Sequence, residues 1–202
     1  MPRHMGPRYR LTLKRRRLHL TDYRQRAALL KSGLPRLVVR PSNRYIYIQF
    51  VEAKPEGDYT KMAVFSKILA KYNWPLSFKC LPAAYLTGLI AGLKAKKADI
   101  KKAVLDIGLV RPTKGNRVFA ALYGVVKAGI EVPHSPAILP DENRIYGEHI
   151  NSYINELYSM PDFDGVQFCL VKKKLGRKKI PTLIRKIEKE ILKRFGGENR
   201  NV

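Results

Sequence analysis

Apolar residues near the start of the chain recur at helical spacing and then change to alternation. The helical spacing predicts a first helix that begins at Thr21 or Asp22 and stops at Gly33. The apolar face of this helix would consist of Tyr23, Ala27 and Leu30. The alternation predicts a hairpin with strands over residues 37–39 and 45–51, joined by a polar turn with an arginine at each end.

Alternation in the second strand separates two faces, as a pleated strand requires. One face carries Tyr45, Tyr47, Gln49 and Val51, and the other carries Ile46, Ile48 and Phe50. A third strand is predicted over residues 59–65, although a helix also fits that stretch, and a short helix is predicted to reach Tyr72.

The middle of the chain alternates helix and strand. The spacing predicts a helix over residues 83–97, and Gly88 and Gly92 within it predict close packing against a sheet. The run 103–108 predicts a fully buried strand, as in parallel sheets, and a polar loop then leads to a helix over residues 118–128. This order predicts one α/β domain that closes near residue 135.

The remaining residues predict a helical extension. Asp141 would cap a helix that runs to about Ser159, and a last amphipathic helix would cover residues 182–195. The expected organisation is an arm at 1–20, an α/β core at 21–135 and a helical, basic extension at 136–202. The fold class is therefore α/β, a mixed sheet with helices on its faces, with a basic N-terminal arm and a C-terminal extension.

The distribution of charge adds a binding partner to this picture. The chain has 40 Lys and Arg against 16 Asp and Glu, a net charge of +24. Residues 1–44 carry +12, residues 45–170 carry +3 and residues 171–202 carry +9. We therefore expect a polyanion to lie along the two ends rather than in a central pocket. The arm contains no acid and two prolines, so we expect it to be flexible and to fold on that partner.

The candidate RNA-binding residues are the cations of these clusters and the side chains among them. Arg outnumbers Lys by 11 to two in residues 1–44, and its guanidinium pairs bidentately with phosphate and stacks on bases. Tyr9, Tyr45 and Tyr47 could stack on unpaired bases, although the two strand tyrosines would equally suit packing under the first helix. His134 suits either a phosphate contact or a structural turn. The candidate set is Arg3, Arg8, Tyr9, Arg10, Lys14, Arg15, Arg16, Arg17, Arg24, Arg26, Lys31, Arg40, Ser42, Asn43, Arg44, Arg111, Lys114, Arg117, His134, Lys172, Lys173, Lys174, Arg177, Lys178 and Lys179.

Residues suited to catalysis or metal binding are sparse. No histidine or cysteine falls at metal-ligand spacing, and Cys80 and Cys169, with apolar flanks, predict buried free thiols. A two-metal nuclease would have to draw on Glu52, Asp99 and Asp106. Asp106 is better explained as an acceptor of backbone or loop hydrogen bonds at a strand end. We therefore expect neither an enzyme nor a metal or cofactor site.

Two other binding classes remain as alternatives to RNA. The charge also permits a non-specific architectural DNA-binding protein. Membrane binding is disfavoured because no apolar run approaches the length of a span and the arm has almost no apolar anchor. We expect a cytoplasmic protein.

Seven segments, in order between residues 21 and 150, resemble one known family. They are TDYR at 21–24, PRLVVRPSN at 35–43, AAYLTGL at 83–89, LDIGL at 105–109, RVFA at 117–120, GIEVPHS at 129–135 and RIYGEHI at 144–150. The chain is similar there to the archaeal form of the large-subunit ribosomal protein that binds 5S ribosomal RNA. Gln25 departs from that pattern, since the family tends to carry a cation at this position.

This resemblance implies a fold, a location and partners. The fold would be a non-catalytic domain of ribonuclease H-like architecture, in the central protuberance of the large ribosomal subunit. The partners would be 5S rRNA, the 23S rRNA and neighbouring large-subunit proteins, including the other 5S-binding protein. We expect the arm, the first helix and the hairpin turn to contact 5S rRNA, and the Arg111 loop and the lysine-rich tail to reach the larger RNA.

Overall fold

A four-stranded mixed sheet lies at the centre of the protein. The computed structural model describes residues 6–7, 9–160 and 179–196. The strands are β1 Arg36–Pro41, β2 Ile46–Lys54, β3 Gly57–Phe65 and β4 Val104–Asp106. Their order is β3-β2-β1-β4, with β1, β2 and β3 antiparallel and β4 parallel to β1. The predicted mixed α/β sheet is confirmed, and β3 is a strand rather than a helix.

Helices lie before, between and after these strands along the chain. They are α1 Lys14–Arg17, α2 Tyr23–Leu30, α3 Leu81–Lys97, α4 Arg117–Lys127, α5 Glu142–Ile145, α6 Glu148–Ser159 and α7 Ile180–Gly196, with 3-10 turns at Ser66–Tyr72 and Pro136–Ile138. The single helix predicted from Asp141 to Ser159 is wrong, because α5 and α6 are separate. Gly147 between them has a φ of +72°, a left-handed conformation that cannot continue an α-helix.

The core lies between one face of the sheet and helices α3 and α4. Ile46, Ile48 and Phe50 are fully buried on this inner face, as their alternation predicts. Helix α3 packs on β2 and β3, and α4 packs on β1. Apolar burial of this extent is the main stabilising term of the fold.

Gly88 lies at a helix–helix contact and not, as predicted, against the sheet. A Cβ at Gly88 would lie 2.1 Å from the carbonyl oxygen of Ala121 on α4, and one at Gly124 would lie 2.2 Å from the carbonyl oxygen of Tyr85 on α3. Gly92 likewise faces α4, at Ala128 and Val125. Glycine on both helices allows their backbones to approach closely. The prediction of a close approach at Gly88 is therefore confirmed, but the predicted partner, the sheet, is wrong.

Strand β4 is shorter and less buried than predicted. It covers Val104–Asp106 rather than 103–108, and Val104 and Leu105 are only half-buried. Because β4 is the edge strand beyond β1, it has a hydrogen-bonded neighbour on one side only. The predicted parallel pairing is confirmed, with Leu37 opposite Leu105.

Helix α7 packs on the domain through an apolar face. It contacts α3 and α6, and Ile180, Ile184, Ile187 and Ile191 are buried in the same hydrophobic cluster as the residues of the sheet and α3. The last helix therefore completes the core of the α/β domain.

Candidate nucleic-acid interface

The outer face of the sheet, opposite α3, carries polar and aromatic side chains. Arg36, Val38 and Arg40 alternate along β1, and cross-strand partners of Val38 and Arg40 are Gln49 and Tyr47. Asp106 of β4 is also paired with Val38 and so points to this face. Helix α2 lies on the same side of the sheet.

An ion-pair chain runs across this outer face. Arg26 on α2 donates to Asp58 on β3 at 2.8 Å, and Arg36 donates to the other oxygen of Asp58 at 2.7 Å. Arg36 also donates to Asp106 at 2.9 Å, and Arg40 donates to that carboxylate at 2.7 Å. The order Arg26–Asp58–Arg36–Asp106–Arg40 contains three cations and two carboxylates, so it keeps a net positive charge.

Both carboxyls of this chain titrate below their ordinary range. Burial opposes ionisation of Asp106, but the hydrogen bond and charge of Arg40, the Gly108 amide and the hydrogen bond from Arg36 outweigh it and lower its pKa. Burial also opposes ionisation of Asp58, whose pKa is lowered by Arg36 and Arg26. The Gly108 amide donates to Asp106 at 2.9 Å, which is the loop hydrogen bond predicted for this residue. The two arginine pairs were not predicted.

Helix α2 has a capped start and no buried residue. The Asp22 carboxylate accepts hydrogen bonds from the backbone amides of Arg24 and Gln25, at 2.9 and 3.0 Å. The helix ends at Leu30, three residues before Gly33. The predicted apolar face is largely absent, since Tyr23 and Ala27 are exposed. Because α2 is held by Arg26 and two half-buried leucines, Arg24 and Lys31 remain exposed on its surface.

The arm before α2 contains one helical turn. Helix α1 comprises Lys14, Arg15, Arg16 and Arg17, and all four side chains are exposed. The Arg15 guanidinium donates to the Thr21 hydroxyl at 2.9 and 3.2 Å, which ties the turn to the start of α2. The expected flexible arm thus has local structure over these residues, because the turn satisfies its own backbone hydrogen bonds.

A groove of about 420 Å³ separates the arm and α2 from the sheet. Its cationic lining consists of Arg15, Arg26, Arg36 and Arg40, and its apolar lining includes Leu20, Leu29, Leu109 and Val110. The structure therefore brings three predicted RNA-binding arginines together. It also brings the beginning of the loop that carries Arg111 to the surface formed by the arm and α2.

The hairpin turn presents two side chains at its tip. The Ser42 hydroxyl donates to the carbonyl of Tyr45 at 2.9 Å and accepts from the Tyr45 amide at 3.0 Å. Ser42 therefore closes the turn, while Asn43 and Arg44 are exposed. Arg40 lies at the near end of the turn, but its guanidinium is directed to Asp106.

Aromatic side chains lie next to this turn. Tyr45 packs on Phe65 and Phe78, with ring centroids 4.6 and 5.8 Å apart, and Tyr47 stacks on Phe65 at 4.7 Å. These ring contacts are with Phe65 at the end of β3 and with Phe78 in the segment before α3. Tyr47 is 43% exposed and Tyr9 in the arm is 44% exposed, which leaves ring surface at which a base could stack.

The remaining candidate residues are dispersed. Arg111 and Lys114 are exposed in the loop after β4, Arg117 is half-buried at the start of α4, and Lys179 is exposed before α7. His134 hydrogen-bonds the carbonyl of Val132 at 2.7 Å through Nδ1, as a turn residue does. Arg3, Arg8, Lys172, Lys173, Lys174, Arg177 and Lys178 lie outside the described residues.

The described residues offer no metal-ligand cluster, no ionised cysteine and no membrane-spanning helix. Within residues 6–7, 9–160 and 179–196, no three His, Cys, Asp or Glu side chains are grouped to hold a metal ion. Cys80 is a free thiol but is half-buried rather than buried as predicted, and desolvation raises its pKa to about 12, so it stays protonated at neutral pH; Cys169 lies outside the described residues. Among the described helices, none is long and apolar enough to cross a membrane.

Two residues that organise the interface were missed by the sequence analysis. Arg36 and Asp58 hold the centre of the ion-pair chain, yet they are 22 residues apart and belong to different strands. The alternation of Arg36, Val38 and Arg40 indicates that the arginines share a face. It does not indicate that carboxylates of β3 and β4 meet them there.

Comparisons with known proteins agree on one family. A family model described as ribosomal large subunit proteins 60S L5, and 50S L18 matches residues 7–102 and 92–135. The large ribosomal subunit protein uL18 of Korarchaeum cryptofilum is 57% identical over 150 residues, covering 74% of this chain and 77% of the relative. The proteins of the same name from Haloarcula marismortui and Aeropyrum pernix are each 48% identical, over 152 and 153 residues, covering 75% of this chain and 81% and 72% of the relatives.

Proposed function

The chain belongs to the family of ribosomal large subunit proteins 60S L5 and 50S L18, and on that premise we propose that it binds 5S rRNA and attaches it to the large-subunit rRNA. A structural role in the large ribosomal subunit follows from the family itself. The proposal adds the RNA partner, the surface and the mechanism.

The observation that supports this proposal is the cationic surface of α1 and α2. Lys14, Arg15, Arg16, Arg17 and Arg24 are exposed there, and Asp22, the one acid in the sequence between residues 14 and 31, is occupied by capping α2. A folded surface that keeps this charge away from carboxylates is stabilised when phosphates neutralise it. Arg44 at the hairpin tip extends the same kind of contact to a second element.

The ion-pair chain supplies rigidity beneath this surface. Arg40 and Arg26 were both predicted to contact RNA, and both guanidiniums already pair with carboxylates. We assign them to positioning: Arg26 holds α2 against the sheet, and Arg40 holds the loop after β4. The phosphate contacts then fall to the arm cations, Arg24, Lys31 and Arg44, with Tyr9 and Tyr47 offering stacking surfaces.

Salt-dependent binding of 5S rRNA tests this mechanism. If about eight phosphates are engaged, the logarithm of the affinity should fall with that of salt concentration at a slope of roughly −6 to −7. Replacing Arg15, Arg16 and Arg17 by Ala should reduce the steepness by about three. A matched control replaces exposed Lys67, Lys71 and Lys79 by Ala and should leave it unchanged.

Duplex DNA serves as the competitor. The ribosomal function requires a large preference for 5S rRNA, because the contacts must fit one folded shape. Equal affinity for duplex DNA, or a 5S affinity insensitive to salt, would contradict the proposal and favour non-specific nucleic-acid binding.

A further inference from the structure

Helix α7 presents a second cationic surface, which the proposed 5S interface does not use. Its exposed cations are Arg185, Lys186, Lys189, Lys193 and Arg194, and Glu190 is the exposed acid among them. The family model ends at residue 135, so membership of the family assigns no role to this helix.

A buried carboxylate fixes how α7 is rotated. Glu188 is 7% exposed and accepts hydrogen bonds from the Tyr85 hydroxyl and the Lys127 ammonium, both at 2.7 Å. Because this residue faces the core together with the isoleucines beneath it, the cations must face outward. Of the two described acids of the helix, Glu188 is therefore paired inside the protein, and Glu190 is left as the one exposed acid beside five exposed cations.

One of these cations is already ordered on the surface. The Arg185 guanidinium lies over the Tyr146 ring, 4.9 Å from its centroid. Lys186, Lys189 and Lys193 follow at helical spacing, a row of about 10 Å at the helix rise of 1.5 Å per residue. Because Arg185 is already held against Tyr146, it loses less conformational entropy than a mobile side chain when it binds a phosphate.

The α7 surface and the α2 surface lie on opposite sides of the sheet. Arg26 of α2 reaches the outer face through Asp58, whereas α7 packs on α3, which covers the inner face. A single RNA strand therefore does not have to contact both surfaces. Two separate RNA segments could be bound at once.

We propose that α7 is a second RNA-binding surface, which takes the phosphate backbone of an A-form duplex while the α1–α2 surface holds another RNA segment. The choice of RNA as the ligand of α7 rests on the proposed function. A membrane surface fits less well, because the apolar face of α7 is consumed by packing in the core and Leu192, 40% exposed, is its exposed large apolar residue.

The test uses the full chain saturated with dye-labelled 5S rRNA, to which a short duplex RNA with a second dye is added. The intact complex should bind the duplex without releasing 5S rRNA. Replacing Lys186, Lys189 and Lys193 by Glu should weaken duplex binding by about tenfold or more and make its salt slope shallower by about three. The affinity for 5S rRNA should not change.

The matched control has the same change in net charge at a different place. Lys67, Lys71 and Lys79 are exposed lysines between β3 and α3, and replacing all three by Glu should leave duplex binding within about twofold. A second α7 variant, with Lys186, Lys189 and Lys193 replaced by Gln, keeps the packing face intact and should give an intermediate loss. Circular dichroism of both α7 variants verifies that the helix is retained.

Each alternative outcome overturns the inference in a recognisable way. Equal losses in the α7 and control variants would mean that total charge, not this surface, binds RNA. Tighter binding of the complex to anionic phospholipid vesicles than to the duplex would replace RNA by a membrane. A chain that binds 5S rRNA but no duplex sinks the inference alone, whereas failure to bind 5S rRNA sinks the proposed function.

Discussion

Helices α2 and α7 both expose cations, but they are attached to the domain in different ways. Helix α2 has no buried residue and reaches the sheet through Arg26 and half-buried leucines. Helix α7 buries four isoleucines in the common core. Apolar burial does not depend on one exact geometry of charges, whereas an ion pair does. We therefore expect α2 to adjust when RNA binds and α7 to keep its position.

The two attachments also use charge in opposite senses. Helix α2 contributes a cation, Arg26, to the carboxylate Asp58 of the sheet, so its attachment takes one cation from its own surface. Helix α7 contributes the carboxylate Glu188 to Lys127 of α4 and thereby keeps its cations exposed. A basic helix can therefore be attached to a basic domain without losing positive surface charge when the helix supplies the buried acid of the ion pair.

The largest expected effect breaks the attachment of α7. Ile184 and Ile191 are fully buried, and replacing both by Ala should cost about 5 kcal/mol, since a single buried Ile to Ala costs about 2–5 kcal/mol. Urea unfolding measures the loss, and amide exchange should show protection disappearing in α7 first. The control Leu192→Ala removes an exposed side chain and should cost less than about 1 kcal/mol. Retained protection across α7 in the double variant would contradict the packing.

The next effect concerns the ion-pair chain under α2. Asp106→Ala leaves Arg36, which is 3% exposed, with Asp58 as its remaining carboxylate, and breaking a buried pair in this way costs about 3–5 kcal/mol. Urea unfolding measures this loss. Glu131→Ala removes the exposed pair with Lys102 and should cost about 0–1 kcal/mol. Similar losses in the two variants would show that burial of Arg36 does not strengthen its pairing.

Acid should weaken the α2 side through the same carboxyls. The pKa values of Asp58 and Asp106 are lowered in the folded protein, so the unfolded chain takes up protons at a higher pH. Their stabilisation is therefore complete above about pH 4 and is lost as the pH falls through the folded-state values. Unfolding in urea at a series of pH values measures this. A variant with Asn at both positions should lose the part of the acid dependence that these carboxyls cause.

The sequence predicted the elements that depend on local periodicity. Alternation placed Ile46, Ile48 and Phe50 on one face, and the apolar run around Leu105 indicated a parallel strand. Each of these patterns reflects the environment of one segment. A segment's own residues therefore report which side it buries.

Contacts between distant segments were not predictable in the same way. Arg36 pairs with Asp106, 70 residues away, only because β1 and β4 adopt one particular register. Gly88 indicated a close approach, but the glycine that meets it, Gly124, lies on another helix whose packing the periodicity does not specify. The cationic clusters could be predicted because the net charge of a segment is the sum of the charges of its own residues. Whether each cation contacts a phosphate or an internal carboxylate depends on the tertiary structure.

The smallest effect sharpens the comparison at the start of α2. Asp22 caps this eight-residue helix, and replacing it by Ala should destabilise α2 by about 1 kcal/mol, because two amide hydrogen bonds are lost. Since α2 buries no residue, the loss should appear as faster amide exchange in α2 with little change in global unfolding. Affinity for 5S rRNA should fall by up to about fivefold, which corresponds to that energy.

Removing Asp22 also removes a negative charge near the proposed RNA surface, which by itself would raise the affinity. Asp22→Ser separates the two effects, because Ser has no charge and still caps a helix. The difference between the Ala and Ser variants then measures the cap alone. If RNA binding requires α2 to be helical and the helix is only partly formed in the free chain, Ser should bind 5S rRNA more tightly than Ala, by up to the capping energy. Equal affinities would mean that α2 is already formed without the cap in the free chain, and α2 would then resemble α7 in folding and differ from it only in attachment.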